Sequence, residues 1–114
     1  MDLAIRTSYG SAERIKVGAA VTDGTEWRFG YNYKNSDGTI THAEEAALSK
    51  ASHFRNSTLY VTLSPCMECA LKIIEHGGVT KVVYDALYPS PVYRCKEALE
   101  LLKNHGIENV FLSL

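Results

Sequence analysis

At 114 residues the chain is one domain's worth of sequence, and its 46% hydrophobic and 22% charged residues are the mix of a soluble globular fold rather than a disordered or fibrous one. Twelve Lys and Arg stand against thirteen Asp and Glu, and this formal charge of −1 supplies no broad basic field for a long nucleic acid. No run of about 18 apolar residues exists to span a membrane, and Met1-Asp2-Leu3-Ala4-Ile5-Arg6 lacks the basic head and apolar core of a secretory signal, so a cytoplasmic setting is expected.

In chain order, residues 2–12 are predicted as a short helix with Leu3, Ala4 and Tyr9 on one side. Lys16 to Thr22 is a small-residue apolar run that ends at Asp23-Gly24, a two-residue hairpin signal. Thr25 to Tyr31 follows with strand-like alternation, so the pair reads as a β-hairpin. The polar stretch Lys34-Asn35-Ser36-Asp37-Gly38-Thr39 reads as a loop.

Residues 42–53, rich in Ala, Glu, Leu and Lys without Gly or Pro, are predicted as a helix, with Thr41 as N-cap and Glu44 completing a capping box. Ser57 to Leu63, β-branched and aromatic, reads as a buried strand. Ser64-Pro65 then starts a second helix, with Ser as N-cap and Pro at the first helical position, and Gly77-Gly78 ends it. Lys81 to Asp85 is a strand and Asn109 to Ser113 another. Between them residues 94–104 form an amphipathic helix with Cys95, Ala98, Leu99 and Leu102 on one stripe. A hairpin followed by alternating strands and helices predicts an α/β fold, a three-layer α/β/α sandwich around a mixed five-stranded sheet, with residues 1–114 as one domain.

Three cysteines, two of them spaced three apart, suit an intracellular metal site better than a disulfide framework. The informative segments are Thr41-His42-Ala43-Glu44 and Ser64-Pro65-Cys66-Met67-Glu68-Cys69. Both lie at predicted helix starts flanking the same strand, so they can meet at one end of the sheet, where open α/β sheets bind ligands. Cys66 and Cys69 turn their sulfurs to one helix face, and a helix N-terminus favours the thiolate that a metal needs. With His42 they make three protein ligands and no evident fourth, the arithmetic of an open, catalytic zinc. Such a zinc brings a bound water towards neutrality, and Glu44 is placed to take its proton and pass it to a substrate. The chemistry expected is hydrolytic deamination. The blander readings are a structural zinc or redox pair at Cys-x-x-Cys, and a Glu44 that only completes its capping box.

His-Ala-Glu followed by Pro-Cys-x-x-Cys resembles the signature of the zinc-dependent cytidine/deoxycytidylate deaminase superfamily. From about Val17 to Leu114 the chain resembles its deoxycytidylate (dCMP) deaminase branch, through Gly30-Tyr31-Asn32, His42-Ala43-Glu44-Glu45 and Thr58 to Cys66. The resemblance implies a cytidine deaminase-like fold, Zn2+ held by His42, Cys66 and Cys69, and Glu44 as general acid/base. The implied reaction turns dCMP and water into dUMP and ammonia. Asn32 would meet the sugar, with Ala43 and Ser64 also against the substrate. It further implies a small nucleotide as partner and a homo-oligomer, hexamer or tetramer, whose neighbouring chains complete each pocket. Three positions depart from the family pattern: Tyr33 follows Gly-Tyr-Asn, only the nine residues Tyr33 to Thr41 precede His42, and Ala46 follows Glu45. The first two fall where relatives carry nucleotide-sensing loops, so regulation by dCTP or dTTP is not implied. The alternatives are the same chemistry on free cytidine, deoxycytidine, another nucleobase or adenosine in tRNA, and an inactive zinc-stabilised binding module.

Outside the resemblance, Asn32 sits in a turn-prone segment. Arg94 stands open between a substrate 5′-phosphate and a surface helix start, and Arg28 and Lys34 pose the same choice. Tyr88 and Tyr93 are expected near a pocket rim, Cys95 as a packed core thiol, and Trp27 in the core or at an interface. His53, His76 and His105 lie at or near helix ends, as caps or in solvent.

Overall fold

A computed structural model describes Ala4, residues 16–87 and residues 94–112. Strands β1 (Gly18–Thr22) and β2 (Trp27–Tyr31) form the expected antiparallel hairpin. Its connection is four residues long rather than two, because Thr22 pairs with Trp27. The Asp23 carboxylate accepts the N–H groups of Thr25 and Glu26 at 2.9 and 2.8 Å, a side-chain turn that uses both residues before the ladder begins.

The segment read as a loop carries a small antiparallel ribbon, β3 (Tyr33–Lys34) with β4 (Ile40–Thr41). Helix α1 (Ala43–Leu48) follows. Thr41 is therefore not its N-cap: it belongs to β4, and its Oγ1 accepts a hydrogen bond from Asn35 Nδ2 at 2.9 Å. His42 takes the cap position with extended backbone and no side-chain capping bond, so the capping box does not form. The helix also stops short of residue 53. Ser49 Oγ bonds back to the Ala46 carbonyl, and Lys50 and Ala51 close tight i→i−3 bonds that lead the chain to the fully buried Phe54.

Strand β5 (Ser57–Leu63) leads to α2 (Met67–His76), β6 (Val79–Ala86), α3 (Cys95–Asn104) and β7 (Glu108–Phe111). Helix α2 begins two residues beyond the expected Ser64-Pro65 start. The Ser64 N–H donates to the Ala86 carbonyl at 2.8 Å, prolonging the β5–β6 pairing, and Cys66 becomes the N-cap. Gly77, at φ 78°, ends α2 in the left-handed conformation that glycine adopts without cost.

The sheet order is β2-β1-β5-β6-β7, with β1 antiparallel to both neighbours and β5, β6 and β7 parallel, a mixed five-stranded sheet as predicted. Ala19, Val21, Leu59, Val61 and Val82 face the helices and form the core with Ala47, Ile73, Ala98 and Leu102. Helix α1 touches α2 and α2 touches α3, so these three make one layer. The opposite face carries Ala20, Phe29, Tyr60 and Val83, with Trp27 stacked on Phe29 and Tyr60 but 39% exposed. Of the helix predicted over residues 2–12, only Ala4 is described, helical and fully buried; the rest lies outside the described residues, as do Tyr88 and Tyr93. No helix among the described residues is long and apolar enough to cross a membrane.

Candidate metal centre

The topology gathers the informative residues at the carboxyl end of β5. There α1 and α2 both begin, and because β1 runs antiparallel to β5, its start and the end of β2 lie at the same edge. His42 presents Nδ1 to both cysteines, 3.6 Å from Cys66 Sγ and 3.2 Å from Cys69 Sγ, and the three ligand atoms lie within 4.8 Å of one another. A tetrahedral zinc with bonds of ~2.3 Å to sulfur and ~2.0 Å to nitrogen sets those atoms roughly 3.5 Å apart, so the donor set fits one zinc ion, and among the described residues no fourth ligand joins it. Cys66 and Cys69 are buried, at 7% and 1% exposure.

Hydrogen bonds link the three donor groups. The Cys69 thiol donates to Cys66, and with the His42 hydrogen bond and charge this brings the Cys66 thiol down to about 4. The same shared proton, reinforced by burial, pushes Cys69 far upward, and the bond to Cys66 raises His42 against the opposing effect of burial. Metal binding takes all three groups in their deprotonated forms, so it is coupled to proton release from this cluster.

The two adjacent carboxylates of α1 separate. Glu44 is 5% exposed and lies at the centre; burial pushes its carboxyl up to about 7, with the Cys66 charge adding to the rise. Glu45 points elsewhere and pairs with Lys72 of α2, which also reaches Glu68 at 3.7 Å. A carboxyl group buried beside three metal-ligating atoms, in contact with Cys69 and under the charge of His42 and Cys66, is arranged for proton transfer.

The remaining predicted contacts are placed less uniformly. Asn32, just past β2, is at the same edge, where its Oδ1 accepts the Val17 N–H at 2.9 Å. Ala43 is fully buried where α1 meets β2, and Ser64 is 2% exposed. Arg94 is on the surface, its guanidinium bonded to the Glu97 carboxylate, with Nε at 2.9 Å. Arg28 lies over the Phe54 ring and pairs with Glu26. The residue the sequence did not bring to the site is Cys95, which clusters with Cys66 and Cys69; its place on an apolar stripe marks burial but not the neighbour.

Residues 1–86 match the family described as the cytidine and deoxycytidylate deaminase zinc-binding region. The chain is 33% identical over 104 residues to the deoxycytidylate deaminase of Enterobacteria phage T4, covering 89% of this chain and 49% of that protein. It is 30% identical over 127 aligned positions to a tRNA-specific adenosine deaminase of Buchnera aphidicola, covering 100% of this chain and 75% of that one. The crystal structure of dCMP deaminase from the cyanophage S-TIM5 in complex with dCMP and dUMP superposes with a TM-score of 0.80 at 29% identity, over 97% of this chain and 92% of that one. The chain thus spans about half the length of its phage T4 relative.

Proposed function

We propose that this chain, which belongs to the family of cytidine and deoxycytidylate deaminases sharing a zinc-binding region, is a zinc-dependent hydrolase that converts dCMP and water into dUMP and ammonia. The observation that carries this reading is the pairing of an open three-ligand centre, His42, Cys66 and Cys69, with the buried carboxyl of Glu44. Bound there, zinc supplies a water whose pKa falls towards neutrality. Glu44 does the proton work: its carboxylate takes the attacking water's two protons in turn, passing one to the ring nitrogen and the other to the exocyclic amine. The bond from the ring carbon to the exocyclic nitrogen then breaks, with oxygen left on the ring and nitrogen released as ammonia.

Asn32 is assigned to the sugar, with Ala43 and Ser64 lining the substrate. Arg94 keeps its two readings, the 5′-phosphate or the surface, and its bond to Glu97 supports the second. The nucleotide substrate is supported by the phage T4 relative and by the cyanophage enzyme bound to dCMP and dUMP. Adenosine in tRNA is the rival, supported by the Buchnera relative along the whole chain and opposed by a formal charge of −1. We further read the protein as a single-domain cytoplasmic homo-oligomer, a hexamer or tetramer, with neighbours completing each pocket.

The test is ammonia release by zinc-loaded protein from dCMP, CMP, deoxycytidine, cytidine, cytosine and a tRNA anticodon stem. Preference for dCMP is expected. Turnover of nucleosides or of the tRNA stem alone would overturn the substrate and keep the chemistry. No turnover of any, with zinc bound, would overturn the enzymatic reading.

A further inference from the structure

We propose that Cys95 is a positioning residue of the metal centre, its thiol holding the turn that presents Cys66. Cys95 is the first residue of α3, 6% exposed, in one buried cluster with Cys66 and Cys69. Its Sγ donates to the Ser64 carbonyl at 3.7 Å, while the Ser64 N–H is tied to the Ala86 carbonyl at 2.8 Å. Ser64 is therefore gripped on both sides of its backbone, two residues before the ligand Cys66. One grip comes from the sheet and the other from α3.

The start of α3 is itself fixed at some cost. Arg94 has φ 52° and ψ 43°, a left-handed conformation that a residue with a side chain adopts only where its surroundings impose it. Its guanidinium bonds to Glu97 one turn on, and its carbonyl accepts the Ala98 N–H at 2.9 Å. Arg94 and Glu97 thus close the first turn of α3 and set Cys95 behind the metal-ligand turn. Cys95 is not itself a ligand: its proton lies on a backbone carbonyl, and its sulfur falls outside the group of ligand atoms within 4.8 Å of one another. Groups that orient a metal's ligands typically govern affinity by 10–100-fold.

This inference rests on the metal centre proposed above and not on the identity of the substrate. The test is zinc affinity, measured on the full chain by competition with a chromophoric chelator, alongside the absorption spectrum of the cobalt-substituted protein. Cys95→Val keeps volume but removes the donor, and is expected to weaken zinc binding about 10-fold or more. Cys95→Ser keeps a donor and is expected to stay within about threefold of the parent, whereas a purely space-filling role would leave Cys95→Val at the parent's affinity. If the valine variant does not fold, the serine variant still decides, since a 10-fold loss there overturns the proposal. Wild-type affinity in a folded Cys95→Val overturns it too. So does a cobalt spectrum with three thiolates in the parent and two in Cys95→Ser, which would make Cys95 a ligand. A parent chain that binds neither metal overturns the centre itself, a failure distinct from the others.

Discussion

Gly30 and Ala43 meet at a distance that excludes any side chain on the strand. A Cβ at Gly30 would lie 2.5 Å from the Ala43 carbonyl oxygen, and equally close to the Ala47 amide nitrogen. Glycine at this position of β2 lets the alanine-rich face of α1 rest directly on the sheet. Since α1 carries His42 at its cap and Glu44 in its first turn, this seat sets where both groups stand. Gly30→Ala is therefore expected to cost about 3 kcal/mol of stability and to weaken zinc binding, because backbone cannot yield as a flexible side chain can. Urea denaturation and a zinc titration check it; an unchanged zinc affinity would separate the seat from the site.

Glu44→Gln preserves the size of the side chain and leaves His42, Cys66 and Cys69 untouched. It should bind zinc and fold as the parent does while losing at least about 10²-fold in kcat, the usual worth of a positioned general acid/base. Glu45→Gln, which breaks only the pair with Lys72, is the control and should keep activity. Equal losses in the two variants would remove Glu44 from its assigned role.

Cys66→Ala leaves His42 and Cys69, and two protein ligands hold zinc poorly. Metal analysis after gel filtration should find the variant essentially free of zinc. Full occupancy would mean that the ligand set is wrong.

Much of the framework was legible because its signals are local. The bounds of β5 follow from an unbroken β-branched and aromatic run, and the end of α2 from Gly77, whose left-handed turn no neighbour has to impose. Helix starts depart from the local signal where a tertiary hydrogen bond displaces a local cap: Asn35 draws Thr41 into a ribbon, and Ala86 draws Ser64 into the sheet. In both cases the cap moves onto a residue read as a metal ligand, His42 or Cys66. The ligand spacing was legible, as was the burial of Cys95. The contact of Cys95 with the centre was not, because it joins residues 31 apart, a separation that no local pattern spans.

The raised carboxyl of Glu44 has a consequence for the metal-free fold. Its ordinary value of 4.5 rises to about 7 on burial, so the neutral form is the one the fold favours. The stability it contributes is fully present below about pH 4.5 and is lost as pH rises through about 7. Glutamine is neutral throughout. Without metal, Glu44→Gln should match the parent near pH 4.5 and exceed its stability by roughly 3 kcal/mol at pH 8. Denaturant titrations of chelator-treated protein at the two pH values measure the difference. A gap independent of pH would exclude the buried ionisation as its source.

His76 separates from the other histidines that the sequence put near helix ends. Its Nε2–H donates to the Ala51 carbonyl at 2.7 Å and its Nδ1 accepts the Gly78 N–H at 3.0 Å, so one neutral tautomer ties the end of α2 to the segment after α1. Ala51 is fully buried, and removing the imidazole leaves its carbonyl and the Gly78 amide without these partners. His76→Ala should therefore cost about 2 kcal/mol, whereas His105→Ala, at the exposed end of α3, should cost less than about 0.5 kcal/mol. Chemical denaturation distinguishes the two. Neither variant should change zinc affinity, since neither histidine is among the ligand atoms gathered at His42, and a loss in His76→Ala would mean that the α1–α2 tie also holds the metal centre in register.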